Sequence, residues 1–366
     1  MNLLYSDTEE QLRGAVRELL TDRCGPAEVL ARCETDQPYH LGLWKTLTAE
    51  LGVTALQVPE ASGGAGASLR ETAVVAEELG RFVAPVPYLG HSVLATTALL
   101  ASDSELLQPV ATGELVAGLA ASLAAYPGQD FPAGVRVGEG LTGRVGTVPD
   151  AVVAELLIVP AIGPDGPELH AVRTGEEGVL VTPLVSLDLT RPLADVTFER
   201  AQSRRIATGA AAVAAWQRAV LTGAGLLASE QLGLAEWCLT ETVGYLKQRH
   251  QFSRPVGSFQ ALKHRLADLW QQLVTARAAA RYAADALATG SADVPVAVAV
   301  AQSHCSEVAV LAAEECVQLH GGIGMTWEHP AHLYLKRAKS DEIALGTPGR
   351  HRAALAELVN LPGPPG

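Results

Sequence analysis

Arg249, Gln251, Phe252 and Gln260 fall close together in the segment Tyr245-Leu-Lys-Gln-Arg-His-Gln-Phe-Ser-Arg-Pro-Val-Gly-Ser-Phe-Gln260. A guanidinium carries a permanent charge and a planar fork of donors, which suits a diphosphate. The two amides can hydrogen-bond phosphate, sugar or base groups, and the phenyl ring adds an apolar face. A second set, Gln318, Gly321, Gly322 and Gly324, lies in Gln318-Leu-His-Gly-Gly-Ile-Gly-Met-Thr-Trp-Glu-His-Pro330. There the missing side chains let a ligand approach the backbone. Each set also has a plainer reading, Arg249 as a solvated charge at a helix end and the glycine run as an ordinary helix stop.

Other reactive residue types form weaker patterns. His329 and His332 are three apart, and Cys316 and His320 four apart. No carboxylate or cysteine pattern completes a ligand set in the sequence, so no metal site is expected. Ser122 and Ser253 lack defined histidine and acid partners and read as loop hydroxyls. Asp341 and Glu342 form an acidic pair whose simplest role is a cap or a solvated surface. The glycine-rich stretch Val58 to Ser68 does not follow a strand in a βαβ unit, which makes it a structural loop rather than a dinucleotide fingerprint.

The elements that must position these groups change type twice along the chain. Helical spacing runs over Asp7 to Leu20, with Ser6 or Asp7 able to cap it, and helices follow near Leu41 to Leu51, Ser68 to Leu79 and Gly90 to Leu100. Short β-like runs then take over, at Leu156 to Val159, Leu169 to Val172, Val179 to Val181 and Leu193 to Phe198. From Ile206 the pattern is helical again. Leu262, Leu266, Leu269, Leu273, Ala276 and Ala280 mark one apolar face, and Ala301, Cys305, Val308, Ala312, Cys316 and Leu319 another, with Asp293 and Pro295 starting the second helix. The expected fold class is α+β, mostly α. It comprises an N-terminal helical domain (1–112), a small middle β-barrel or sandwich (113–203), a C-terminal four-helix bundle (204–358) and a disordered tail (359–366).

The chain has 366 residues, of which 48% are hydrophobic and 18% charged, a folded globular composition. Its formal net charge of −13 argues against nucleic acid as a partner. Five cysteines without a CxxC pair fit reduced thiols. The N-terminus lacks the basic and apolar blocks of a secretory signal, and no uninterrupted apolar run reaches about 18 residues. These features point to a cytoplasmic protein with no membrane partner.

Taken together, the Arg249 segment, the Gln318 segment and its continuation to Leu335-Lys-Arg337 resemble signature segments of acyl-CoA dehydrogenases. In the N-terminal third, Leu51-Gly52, Val58-Pro59-Glu60, Gly63 to Gly66 and Glu77 to Gly80 fall in the same order as in that family. The resemblance implies an oxidoreductase that binds FAD and takes an acyl-CoA or acyl-carrier thioester. It implies that Arg249, Gln251, Phe252 and Gln260 serve the FAD of a neighbouring subunit. It also implies that Gln318, Gly321 and Gly322 approach the ADP moiety, and that Ser122 and Thr347 lie at the flavin. A dimer or tetramer, with an electron-transferring flavoprotein as acceptor, follows from the same resemblance.

The chain departs from that family where chemistry is done. The usual base is a glutamate before a Gly-Thr pair, and counting gives Leu345-Gly346-Thr347 here. The alternative base position, early in the long helix before the Arg249 segment, falls near Gly223 with Ala224 beside it. Neither residue can take a proton. The aromatic that covers the flavin in the family falls near Thr147. Asp341 and Glu342 are the substitute bases within reach in sequence. The favoured expectation is a subunit whose catalytic glutamate comes from a paralogous partner. The alternatives are a self-sufficient homo-oligomer with a displaced acid, a homologue acting on a carrier-protein thioester, and a non-catalytic structural homologue.

Overall fold

The computed structural model describes residues 3–102 and 105–362. The tail expected to be disordered lies, from 363 on, outside the described residues.

The N-terminal helices are α1 (Asp7–Arg23), α2 (Pro26–Cys33), α3 (Leu41–Leu51), α4 (Leu69–Arg81), α5 (Thr96–Leu100) and α6 (Leu107–Ala111). Local sequence sets their starts. Ser6 caps α1 and Ser68 caps α4, each paired with a glutamate three residues on, Glu9 and Glu71, in a reciprocal capping box. The helix expected at Gly90 to Leu100 is present, but its first part, Leu89–Ala95, is a wholly buried π-helix. The Gly90 amide donates to Asp150 Oδ2 at 2.8 Å. Where α4 crosses the long bundle helix, a Cβ on Gly233 would come within 1.8 Å of the Glu77 carbonyl oxygen. Only glycine permits that approach.

The middle of the chain holds β1 (Ala117–Leu119), β2 (Val135–Val137), β3 (Leu141–Pro149), β4 (Leu156–Gly163), β5 (Gly166–Arg173), β6 (Val179–Leu184), β7 (Leu193–Ala201) and β8 (Arg204–Thr208). They form one branched sheet in the order β6-β7-β3-β2-β4-β5-β8, with β1 parallel to β4 and most other pairs antiparallel. Alternation along β4 divides two cores. Leu156 and Ile158 belong to the main helical core, while Leu157, Val159 and Ala161 face a second core with Val135, Leu141, Val148, Val196 and Phe198. The sheet is thus covered on both faces.

The C-terminal bundle is built from α7 (Gly209–Gln248), α8 (Gln260–Thr289), α9 (Val294–His320) and α10 (Ala331–Ile343), with α11 (Pro348–Leu358) laid against α9. A two-stranded hairpin, β9 (His250–Gln251) and β10 (Arg254–Pro255), joins α7 to α8. By length and composition α7 and the α9 segment could each cross a membrane, but 61% and 72% of their most apolar windows are buried inside the protein. These faces are used in helix packing.

Candidate functional site

α7 carries Gln217, Arg218, Leu221 and Thr222 to one wall of a cleft of about 930 Å³. Leu287, Val294 and Val298 of α8 and α9 form an apolar wall, Arg350, His351 and Glu357 of α11 another, and Tyr126-Pro127-Gly128 lies along the edge. The Arg350 guanidinium stacks 4.1 Å above the Tyr126 ring. A long apolar cleft with cationic side chains suits an acyl chain attached to an anionic carrier.

Leu345, in the link from α10 to α11, adjoins the lining residue His351. Its φ is +52°, a left-handed conformation that is strained for a residue with a Cβ. Two hydrogen bonds hold it: its amide donates to the Leu123 carbonyl at 2.7 Å, and its carbonyl accepts from His351 Nε2 at 3.0 Å. A Cβ placed on Gly223 would lie 2.9 Å from Leu345 Cδ1 and 2.5 Å from Leu94 Cδ2. The two base positions inferred from the sequence therefore converge on one point beside the cleft. That point is lined by hydrocarbon.

Neither substitute acid reaches it. Asp341 is fully buried in an ion cluster, where its Oδ1 accepts from Arg191 Nη1 at 2.5 Å. Arg191 also binds Glu230 on α7, and Arg337 of α10 binds Glu230 and Asp188. This corrects the reading of Asp341 as a cap or surface acid: it ties α10 to α7 and to the loop before β7. Glu342 is half-buried and pairs with Lys339 at 3.6 Å. Neither is among the residues that line the cleft.

Within the cluster, three carboxyls face two guanidiniums. The arginines hold Asp188 and Glu230 below the usual carboxylate range against the opposing effect of burial. Burial, aided by Glu230 and Asp188, pushes Asp341 up to about 7, and its Oδ2, which has no hydrogen-bond partner among the described residues, can carry the proton. A raised carboxyl stabilises the fold fully below its unfolded value of 3.8, and that contribution is lost as pH rises through about 7. Asp341→Asn should therefore flatten the dependence of Tm on pH between about 4 and 7. Thermal melts across that window, on wild type and variant, check it.

A second cleft, of about 350 Å³, runs along Ala121, Ser122, Gln129, Arg144 and Trp216. Ser122 Oγ lies 2.8 Å from Thr147 Oγ1, and Thr147 is another non-glycine residue at positive φ, +52°. Trp216 is 1% exposed and its Nε1 has no hydrogen-bond partner among the described residues. An orphaned buried donor carries a penalty that a ligand acceptor would remove. Thr347 is exposed and caps α11 by accepting from the Arg350 amide at 3.3 Å.

The other sequence-derived contacts face outward. Arg249 ends α7 and is exposed, without a side-chain partner among the described residues. Phe252 and Ser253 form the two-residue tip of the β9–β10 hairpin, both at positive φ, +52° and +61°. Such a tip favours glycine or asparagine, yet it carries a phenyl ring that is 87% exposed. Gln251, Gln260, Gln318, Gly321 and Gly322 are exposed as well. Within one chain these groups do not reach the Ser122 cleft. The guanidinium without a side-chain partner among the described residues, the projecting ring and the exposed amides are free to meet a ligand, and Trp216 Nε1 fits a ligand held in the cleft it lines. The residues present thus fit FAD: Arg249 offers a fork of donors for its diphosphate, Phe252 a face for its rings, and the Ser122 cleft a buried indole N–H for one of its acceptors.

Trp216, Gln217 and His351 were missed in the sequence, because each is a single residue outside any motif. The signal for His351 lies in its position four residues after Thr347, one turn into α11.

Comparison with known proteins supports the same family. The model described as "Acyl-CoA dehydrogenase, N-terminal domain" matches residues 6–114, and "Acyl-CoA dehydrogenase, C-terminal domain" matches residues 213–359. Acyl-CoA dehydrogenase IpdE2 of Mycobacterium tuberculosis is 37% identical over 345 residues, 93% of this chain and 94% of that protein. Among solved structures, the ChsE4-ChsE5 complex from Mycobacterium tuberculosis superposes with a TM-score of 0.87 at 29% identity, covering 99% of this chain and 100% of the matched one. A variant of the Tcur3481-Tcur3483 steroid ACAD gives 0.86 at 29% identity, over 97% of this chain and 98% of that one. Similar along nearly its whole length to such relatives, this chain belongs to the acyl-CoA dehydrogenase family of FAD-dependent oxidoreductases.

Proposed function

We propose that the chain is one subunit of a heteromeric acyl-CoA dehydrogenase in which a paralogous partner supplies the catalytic glutamate. The observation that carries this reading is the meeting of Gly223 and Leu345 beside the cleft, both without a proton acceptor. Removal of the α-proton of an acyl thioester needs a base within about 3 Å of it. The acid that does line the cleft, Glu357, lies roughly 13 Å up the axis of α11 from the start of that helix. His351 lines the cleft too, but its Nε2 donates to the Leu345 carbonyl, and burial lowers its pKa. Two similar structures, the ChsE4-ChsE5 complex and the Tcur3481-Tcur3483 steroid ACAD, each pair two different chains, which supports a mixed assembly.

In this reading FAD, when bound, supplies the hydride acceptor. This chain's residues bind and orient it. Arg249 would neutralise the diphosphate of a flavin seated in the partner, Gln251 and Gln260 would hydrogen-bond its polar groups, and Phe252 would cover an apolar face. Gln318 and the Gly321-Gly322 turn would hold the ADP end of that flavin, while Ser122 and Thr347 would serve the ring end of the flavin bound to this chain. The smallest assembly is a heterodimer, which pairs into a tetramer, and an electron-transferring flavoprotein reoxidises it.

The experiment is to purify the complex with its paralogous partner and to change the partner's base glutamate to glutamine. Loss of essentially all acyl-CoA-dependent flavin bleaching is expected. Retention of half the bleaching would show a second, independent base on this chain.

A further inference from the structure

Beside the Gly321-Gly322 turn, three side chains from separate segments meet. Glu241 on α7, His320 at the end of α9 and His329 ahead of α10 each offer one ligand atom, all within 4.8 Å of one another. No hydrogen bond or ion pair joins any two of them among the described residues. His320 is 2% exposed and its ring packs against Tyr245 and His329, with centroids 4.4 and 4.3 Å away. Its Nδ1 lies 2.6 Å from the Cys316 carbonyl oxygen. A carbonyl can only accept, so Nδ1 carries the proton. Nε2 is buried with no hydrogen-bond partner among the described residues. Leaving such a nitrogen unmatched is costly, and the groups around it are a second imidazole and a carboxylate.

We propose that Glu241, His320 and His329 form a site for one divalent transition-metal ion of the zinc class. Two imidazoles and a carboxylate are a donor set that such ions prefer over calcium or magnesium, and water can complete the coordination on the exposed side of Glu241. The bond from His320 Nδ1 to the Cys316 carbonyl is the kind of contact that fixes the tautomer and orientation of a metal-bound imidazole. His329 Nδ1 now accepts from the Ala331 amide at 3.2 Å. Coordination through its Nε2 moves the ring proton to Nδ1 and gives up that long bond. The ion would join α7, α9 and the segment entering α10, and so fix the turn that holds Gly321 and Gly322. The sequence hid this site because the carboxylate comes from α7, far before the two histidines in the chain.

The inference does not depend on the flavin reading and is tested on the full-length, metal-free chain. The chain is titrated with Co²⁺, followed by its visible absorption, and the bound Co²⁺ is then displaced with Zn²⁺. One Co²⁺ per chain is expected, released by one Zn²⁺, with a rise in Tm on Zn²⁺ addition. Glu241→Gln and His329→Ala change exposed or half-buried residues and should leave the circular dichroism unchanged. Each is expected to weaken Co²⁺ binding by at least about tenfold, since loss even of an outer-shell partner commonly has that effect. Absence of stoichiometric binding would overturn the proposal. So would binding of unchanged affinity in both variants, which would assign the ion to other surface histidines such as His250, His264 or His304.

Discussion

Replacing Leu345 by glutamate is expected to give the FAD-reconstituted chain an acyl-CoA-dependent bleaching activity that wild type lacks, with a gain of roughly 10² to 10⁴ in rate. The backbone is already prepared for the change. A non-glycine residue sits at φ +52° and is held by the Leu123 carbonyl and by His351, so the new side chain meets no new backbone strain. Glutamate also differs little from leucine in volume. The site is 1% exposed, so an ionised carboxylate there is opposed by desolvation. Keeping the group ionised there should cost several kcal/mol of stability, so its pKa is raised, which favours a base working near neutrality. Gly223→Glu should do worse, because its Cβ alone would strike Leu94 at 2.5 Å. Anaerobic stopped-flow absorbance on wild type and both variants separates these outcomes. No bleaching by Leu345→Glu, with flavin bound and the fold intact, would mean that the cleft does not present the acyl α-carbon to residue 345.

The second large effect is expected at Arg249. Arg249→Met should lower FAD affinity by roughly 10- to 100-fold, the equivalent of about 1.5 to 3 kcal/mol for a hydrogen bond to a charged group. Its effect on Tm of the flavin-free chain should be small, because exposed side chains away from packed features usually change stability by less than about 0.5 kcal/mol. Arg249→Lys should restore only part of the affinity, since an ammonium keeps the charge but loses the planar fork. Flavin retention after gel filtration, together with thermal melts, distinguishes a binding role from a structural one. A Tm drop matching the loss of flavin would point to the structural one.

Those two expectations depend on different parts of the sequence, and the parts were not equally legible. The cap offered by Ser6 and the apolar faces of α8 and α9 are local patterns, and the helices appear where those patterns put them, whereas the capping box at Ser68 was missed in the sequence. β4 to β7 were readable as apolar runs, whereas β3 was not. Its residues Gly143, Gly146 and Pro149 have low strand propensity, and partners from β2 and β7 hold it in the sheet. The π-helical turn at Leu89–Ala95 depends on Asp150, far along the chain, and left no trace in composition.

At the site the same division holds. The segments around Arg249 and Gln318 are contiguous and could be found as motifs. The fate of Asp341 could not, because the residues that bury it, Arg191, Glu230 and Arg337, come from the β6–β7 loop, α7 and α10. The convergence of Gly223 with Leu345 needed the tertiary fold as well, although each position was identified separately by counting. A hairpin tip with two non-glycine residues at positive φ is likewise visible only in three dimensions.

Anaerobic mixing of the wild-type chain, expressed without any partner and loaded with FAD, with a range of acyl-CoA thioesters measures most directly whether it has a base of its own. The expected result is a flavin spectrum that stays oxidised while the Leu345→Glu protein bleaches under the same conditions. Rapid and complete bleaching of the wild-type flavin would contradict the borrowed-base mechanism and place a working proton acceptor within this chain.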